Sequence, residues 1–161
     1  MKTILKYFCL IVLHLGMGLI IVAMSLSYCY NWHGKAVLLK TDKTNIFLTK
    51  NGEIKIVPYA LTLSQLHVSF YDSGKPKKIE AIISIEGSKE IKTFSLHINN
   101  PYKLSHGQDL YLVNFDQTNP NNPEWCVIEC VYDPFQHLFF VGIILVIVGL
   151  LLSLTAKIFT F

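Results

Sequence analysis

Charged residues are scarce in this sequence, and arginine is absent. Only 16% of the 161 residues are charged and 52% are hydrophobic, whereas a soluble domain usually carries about 25% charged residues. No residue with a fixed charge occurs over 7–34 or over 134–156. This distribution excludes a soluble globular protein. It also excludes intrinsic disorder, because disordered chains combine low hydrophobicity with high net charge.

The residues with a fixed charge are concentrated between the two uncharged segments. All 11 acidic residues lie within 42–133, and 11 of the 14 lysines lie within 35–103. The central segment is therefore neutral, and the formal net charge of +3 comes from Lys2, Lys6 and Lys157. Because the central lysines are interspersed with acids, a nucleic-acid-binding surface is not expected.

Sequence signatures of catalysis are missing as well. There is no glycine-rich phosphate loop, no recognisable Ser/His/Asp arrangement, no C-x-x-C redox pair and no paired spacing of metal ligands. We therefore predict no catalytic residue, and we do not expect the chain to be an enzyme by itself.

The two uncharged segments predict two transmembrane helices, at 7–30 and 136–156. The first would be about 36 Å long at about 1.5 Å per residue, and about 20 residues suffice to cross the hydrocarbon core. A cleaved signal peptide is the alternative, but its apolar region usually has about 7–15 residues. The first segment is longer than that, which favours an uncleaved transmembrane helix.

The lysines at the two ends predict the topology. Positively charged residues favour the cytoplasmic side, and long loops cross the membrane largely regardless of their charge. We therefore predict cytoplasmic termini at 1–6 and 157–161, and an extracytoplasmic domain at 31–135.

The extracytoplasmic domain is predicted to be all-β. Short apolar runs alternate with turn residues, and Asn51-Gly52 between two such runs is a strong hairpin signal. Further turns are expected at 72–74 and 86–88. Seven or eight short strands at regular spacing predict a sandwich or a barrel-like fold. The predicted strands are 36–39, 45–49, 53–57, 61–70, 78–85, 91–98, 110–115 and 125–132.

One ionisable residue, His14, lies inside the first predicted span. Such residues are rare in the membrane and are functional candidates by default. A neutral imidazole can ligate iron through one ring nitrogen. Gly18 lies one turn away on the same helical face as Met17 and Ile21, where its lack of a side chain would admit a flat ligand or a partner helix. The alternative is a neutral histidine hydrogen-bonded to a backbone carbonyl or to a neighbouring helix.

Small residues form a stripe on the second predicted span. Gly142, Gly149, Ser153 and Ala156 fall on one helical face. Such a stripe allows another helix to approach closely. The alternative is that glycine is simply frequent in membrane helices.

Cysteine spacing argues against disulfides within the chain. On a strand, Cys126 and Cys130 would lie about 13 Å apart, whereas a disulfide needs Cα atoms within about 7 Å. Cys9 and Cys29 lie near opposite ends of one predicted helix and cannot pair. We expect Cys9 and Cys29 to be small buried hydrophobic residues.

Short motifs that follow one another along the chain carry a family resemblance. They are Leu13–Gly16, Gly34–Leu39, Val57–Leu63, His67–Tyr71, Gly74–Pro76, Asn99–Pro101, Gly107–Tyr111, Asp133–Pro134, and the glycines Gly142 and Gly149. As an ordered set over about residues 10–152, together with the two-span topology, they resemble the ResB/CcsB type of cytochrome c biogenesis protein. The resemblance predicts a short or split form that covers the C-terminal part of the usual family member.

The resemblance implies a haem-handling subunit of a bacterial inner-membrane complex. It would help to export haem b and deliver it to apocytochrome c outside the membrane, together with a CcsA-like multi-span partner that shares the haem. The intramembrane histidine of the family corresponds to His14, which would be an axial ligand of the haem iron. Gly18, Gly142 and Gly149 are the candidates for helix packing or partner contact.

Two other functions remain open from the sequence. One is a ligand-free membrane scaffold whose outer β domain docks a partner protein. The other is a thiol-redox helper, which the spacing of Cys126 and Cys130 disfavours.

Overall fold

The computed structural model describes residues 2–87, 90–104, 107–119 and 122–158. These residues divide into two compact units. A helical unit contains the residues up to Asn31 and those from Asp133 onward, and a sheet unit contains Trp32–Tyr132. Ser88 of the predicted turn at 86–88, and 159–161 of the predicted C-terminal segment, lie outside the described residues.

The described part of the helical unit contains two helices, α1 (Lys2–Tyr30) and α2 (Gln136–Ile158). Within them, Tyr7–Tyr30 and Gln136–Thr155 are long and apolar enough to cross a membrane. The predicted spans at 7–30 and 136–156 lie within α1 and α2. Neither contains a proline, so nothing in the sequence interrupts the backbone hydrogen bonds of the helices.

An aspartate joins the end of α1 to the start of α2. Ser27 on α1 donates its hydroxyl hydrogen bond to Asp133 Oδ1 at 2.7 Å, and the backbone N–H of Phe135 donates to the same oxygen at 3.0 Å. The rings of Tyr30 and Phe135 pack beside this contact with centroids 5.8 Å apart. Asp133 therefore satisfies a backbone donor just before α2 and anchors the two helix ends to each other.

The sheet unit is one antiparallel sheet in the described residues, with strands in the order β5-β4-β3-β2-β1-β8-β7-β6. Most strands have their buried residues at alternate positions, which is the two-residue periodicity expected when one face covers a core. The strands are β1 (Trp32–Leu39), β2 (Thr44–Thr49), β3 (Ile54–Phe70), β4 (Pro76–Glu86), β5 (Ile91–His97), β6 (Tyr102–Lys103), β7 (Gln108–Phe115) and β8 (Trp125–Tyr132).

The sheet curls so that its two edge strands meet through side chains. Phe94 on β5 stacks on Tyr102 on β6 with ring centroids 3.8 Å apart, although no backbone ladder joins these strands in the described residues. Across the interior, the Tyr59 hydroxyl on β3 donates to Gln108 Oε1 on β7 at 3.0 Å. The predicted fold class is confirmed: two apolar helices flank an all-β domain, which is barrel-like.

Two details of the strand prediction differ from the structure. The runs 53–57 and 61–70 belong to the single strand β3, which passes through Pro58. Residues 57–60 oppose a break in the ladder to β2, so the missing N–H of Pro58 costs no ladder hydrogen bond there. The two-residue strand β6 was not predicted, because a segment that short has no periodicity to detect.

The predicted turns at Asn51-Gly52 and at 72–74 are confirmed. Gly52 has a φ of 81° and its N–H donates to the Thr49 carbonyl at 3.1 Å. Gly74 has a φ of 77°. Glycine adopts these left-handed conformations without steric cost, which explains its place in both turns.

We expect Phe47→Ala to lower the free energy of unfolding of the sheet unit by about 3–5 kcal/mol, because it removes a fully buried ring. Leu48→Ala is a matched control, since Leu48 follows on the same strand but is 54% exposed, and it should cost less than about 1 kcal/mol. Urea denaturation of the full chain in detergent, followed by the circular dichroism of the sheet, measures both. Equal losses of unfolding free energy would contradict the assignment of Phe47 to the buried face of the sheet and of Leu48 to its exposed face.

Candidate functional site

His14 lies on an exposed face of α1, and one of its ring nitrogens is hydrogen-bonded. Its Nδ1 lies 2.7 Å from the carbonyl oxygen of Leu10. A carbonyl oxygen only accepts, so Nδ1 carries a proton, and in the neutral imidazole Nε2 then has the free lone pair. The alternative interpretation, in which His14 is hydrogen-bonded to a backbone carbonyl, therefore agrees with this contact. The contact uses only one nitrogen, and the other has the form that binds a metal.

The helix surface beside His14 is open. A Cβ built at Gly18 would have no atom within 4 Å other than its own neighbours along the helix. Met17 and Ile21, on the same side, are 48% and 64% exposed. This face has space for a planar ligand or for a further helix.

His14 would supply only one ligand to a metal. The residues that the structure describes contain no group of three or more His, Cys, Asp or Glu side chains placed to hold a metal ion. A haem iron accepts protein ligands at its two axial positions. His14 thus offers one nitrogen donor, Nε2.

Gly142 and Gly149 of α2 pack against α1 of the same chain. A Cβ at Gly142 would lie 2.7 Å from Ile20 Cγ1 and 3.1 Å from the Gly16 carbonyl oxygen. A Cβ at Gly149 would lie 3.0 Å from Leu13 Cβ. The helix that these glycines admit is therefore α1, and Gly18 takes no part in this contact.

Gly16, which ends the first family motif, was not predicted to lie in the helix contact. A Cβ there would lie 2.8 Å from the Val146 backbone nitrogen and 2.9 Å from the Gly142 carbonyl oxygen. Cys9, Gly16 and Ala23 are all buried and are spaced seven residues apart. That spacing matches the separation of Gly142 and Gly149. A search of both helices for small residues seven positions apart would have found Gly16.

Gly16→Leu should destabilise the helical unit by about 1–3 kcal/mol, because its side chain would overlap the backbone of α2. Gly18→Leu makes the same chemical change one half-turn away, in open space, and should change stability by less than about 0.5 kcal/mol. SDS titration of the chain from mixed micelles, followed by the helical circular dichroism signal, gives both values. If the two variants were equally stable, the proposed α1–α2 contact would be wrong.

The two cysteines of β8 are buried in the sheet core. Cys126 and Cys130 are fully buried, and all four cysteines, each of which lies in the described residues, are free. No disulfide joins Cys126 to Cys130 or Cys9 to Cys29 in the described residues. Burial raises the pKa of the Cys126 thiol to about 12 and that of Cys130 to about 11. Both thiols are therefore protonated at neutral pH, which makes them poor nucleophiles.

Cys9 and Cys29 differ in exposure. Cys9 is buried as predicted, but Cys29 is exposed. The prediction for Cys29 is wrong because the position lies at the end of α1 and outside the seven-residue spacing of Cys9, Gly16 and Ala23.

Cysteine labelling should reflect this difference. We expect N-ethylmaleimide to modify Cys29 readily at neutral pH and to modify Cys126 and Cys130 at least about 100-fold more slowly, because a raised thiol pKa lowers the thiolate fraction. Mass spectrometry of the digested chain measures each site, and denaturation before labelling is the control that should make all sites reactive. Rapid labelling of the β8 cysteines in the folded chain would revive a thiol-redox role.

Comparisons with known proteins identify the family and a related fold. The profile of the ResB-like family matches residues 1–124. Among solved structures, cytochrome c heme lyase CcmF is similar over 96% of this chain, with a TM-score of 0.60 and 12% sequence identity. The chain covers 25% of that protein, and at this identity the similarity concerns the fold alone. No curated protein sequence is significantly similar to the chain. Since the family profile matches more than half of the chain, the protein belongs to the ResB-like family.

Proposed function

We propose that this protein is a haem-handling subunit of a cytochrome c maturation complex. Its ResB-like family and the heme lyase fold neighbour support a role in cytochrome c maturation. The observation that carries the haem-handling part is His14. Its Nδ1–H is held by the Leu10 carbonyl, its Nε2 is available, and the surface beside it is open at Gly18.

In this proposal haem b is cargo rather than a resident cofactor. His14 Nε2 would bind the haem iron as one axial ligand. The hydrogen bond to Leu10 favours this role, because it sets the tautomer and limits rotation of the ring. Gly18 would allow a flat molecule to lie close to the helix backbone. The exposed apolar side chains of Met17 and Ile21 suit the apolar part of such a molecule.

The second ligand and the recipient would be other proteins. A CcsA-like multi-span membrane protein would provide the other axial ligand, and apocytochrome c would receive the haem. We place the complex in the bacterial inner membrane. The positive-inside tendency of the terminal lysines puts both termini in the cytoplasm and the sheet unit outside it.

A docking scaffold without a ligand is the second candidate, and one surface of the sheet unit favours it. Ile46 pairs directly with Ile56, and Leu48 with Ile54, on the outer face of β2 and β3. These four side chains are 48–71% exposed, and Val37 on β1 is also exposed. A contiguous exposed apolar surface marks a site of protein interaction. We call these five residues the outer apolar face.

His14→Ala should lower the haem content of the complex purified with its CcsA-like partner by about tenfold, because one axial ligand is lost. His67→Ala is the control, since His67 is exposed on the sheet and is hydrogen-bonded only to Gln65 in the described residues. The Soret absorbance per complex and the yield of mature cytochrome c are the measurements. Gly18→Leu should also lower haem content while leaving the isolated chain stable.

Two measurements distinguish the candidate functions: the haem content of the His14 variant, and co-purification of a variant of the outer apolar face. If His14→Ala retained full haem and matured cytochrome c normally, His14 would not be a haem ligand. If, in addition, an Ile46→Asp, Ile56→Asp variant lost co-purification with the partner, the scaffold function would be correct.

A further inference from the structure

A cleft of about 690 Å³ lies at the end of the sheet unit where β4 begins and where β5 and β7 end. Its lining comes from 75–79, 97–99, 113–115 and Gln117. Small-molecule sites typically enclose about 300–1,000 Å³, so the cleft has the size of such a site. Nothing in the proposed function of His14 uses it.

The rim of the cleft is positively charged. Lys75, Lys77 and Lys78 line one side of it. Lys78 Nζ lies 2.8 Å from Glu80 Oε2, and this hydrogen bond holds the pKa of Glu80 below its usual value. Glu80 therefore neutralises Lys78, and its other oxygen lies 3.7 Å from His97 Nε2.

In the described part of the chain, two lysines of the rim have no counterion. Within the described ranges, no carboxylate oxygen lies within 4 Å of the Lys75 or Lys77 ammonium group. Lys77 Nζ lies 5.6 Å from the centre of the Tyr71 ring, a cation–π contact that positions the lysine without removing its charge. The rim therefore presents two positive charges to a ligand.

The floor of the cleft is apolar. Ile79 and Phe115 are nearly buried at its base, and Ile98 and Val113 are each 41% exposed at its surface. Asn99, with a φ of 63°, turns the chain sharply after β5 and places 97–99 along the cleft. An apolar floor below a cationic rim suits a molecule that is anionic at one end and apolar in its body.

We propose that this cleft binds a small carboxylate with an apolar body. Lys75 and Lys77 pair with the carboxylate, and Ile98 and Val113 contact the body. Two sources have this chemistry: a porphyrin that carries carboxylates, such as haem, and a fatty acid released from the membrane. The cleft does not include His14, so this proposal can be correct even if the proposed function of His14 is wrong.

The test uses the full chain with His14→Ala in nanodiscs, so that any haem bound at His14 does not contribute. Equilibrium dialysis measures the binding of haem and of decanoate, with empty nanodiscs subtracted. We expect saturable binding of at least one probe, and no binding of its neutral ester. Binding of haem alone identifies the porphyrin source, and binding of decanoate alone identifies the fatty acid source.

Lysine variants test the rim. Lys75→Gln with Lys77→Gln should weaken binding about fivefold to tenfold, since two exposed ion pairs are lost. Lys35→Gln with Lys50→Gln removes the same charge from exposed positions outside the cleft and should change binding less than about twofold. Both double variants should keep the circular dichroism signal of the sheet.

A variant of the floor tests the apolar contact. Ile98→Asp, at an exposed position, should abolish binding, because it removes an apolar contact and places a negative charge beside the carboxylate site. Three results would overturn the proposal: neither probe binds, the two lysine variants weaken binding equally, or inorganic phosphate displaces the bound probe at equal concentration. The last would mean that the cleft recognises charge alone.

Discussion

The helical unit depends on the close approach of α1 and α2 at Gly16 and Gly142. Backbone atoms of each helix occupy the space in which a side chain of the other would lie, so a larger residue at either position would force the helices apart. Such packing replaces the hydrophobic driving force that is missing between apolar helices in lipid. The contact also decides which side of α1 is covered. Leu13, Gly16 and Ile20 face α2, and the side that carries His14 and Gly18 remains open.

The sheet unit likewise has a closed interior and an open exterior. Its interior is filled by alternate residues of nearly every strand and is sealed by the Phe94–Tyr102 stack, where the two edges meet without a ladder. Burial of Cys126 and Cys130 in this interior gives them a packing role, because their raised thiol pKa values keep them protonated. The exterior carries the outer apolar face and the lysine-rimmed cleft.

Much of the fold could be predicted because its determinants are local. A charge-free run long enough to cross a bilayer specifies each helix, and Asn51-Gly52 specifies a hairpin through the backbone freedom of glycine. The strand predictions failed where the structure of a segment depends on a neighbouring strand that is distant in the sequence. Pro58 separates two strands in the sequence, yet β3 continues through it because the ladder to β2 is interrupted at that position. Strand β6 exists only because β7 pairs with it.

For the candidate site, the sequence by itself determined that an imidazole lies within an apolar helix, with a glycine one turn away on the same face. It also determined the family, since the ordered motifs resemble the family whose profile matches residues 1–124. Only the tertiary structure decided that Gly142 and Gly149 contact α1 of the same chain, that Gly16 is their counterpart, and that Gly18 stays open. Helical periodicity shows which residues share a face, but which face is covered depends on atoms of another segment. The same reason explains the cleft, whose lysines lie beside the paired strands β4 and β5, whereas Val113 and Phe115 come from β7, which lies near the other end of the strand order.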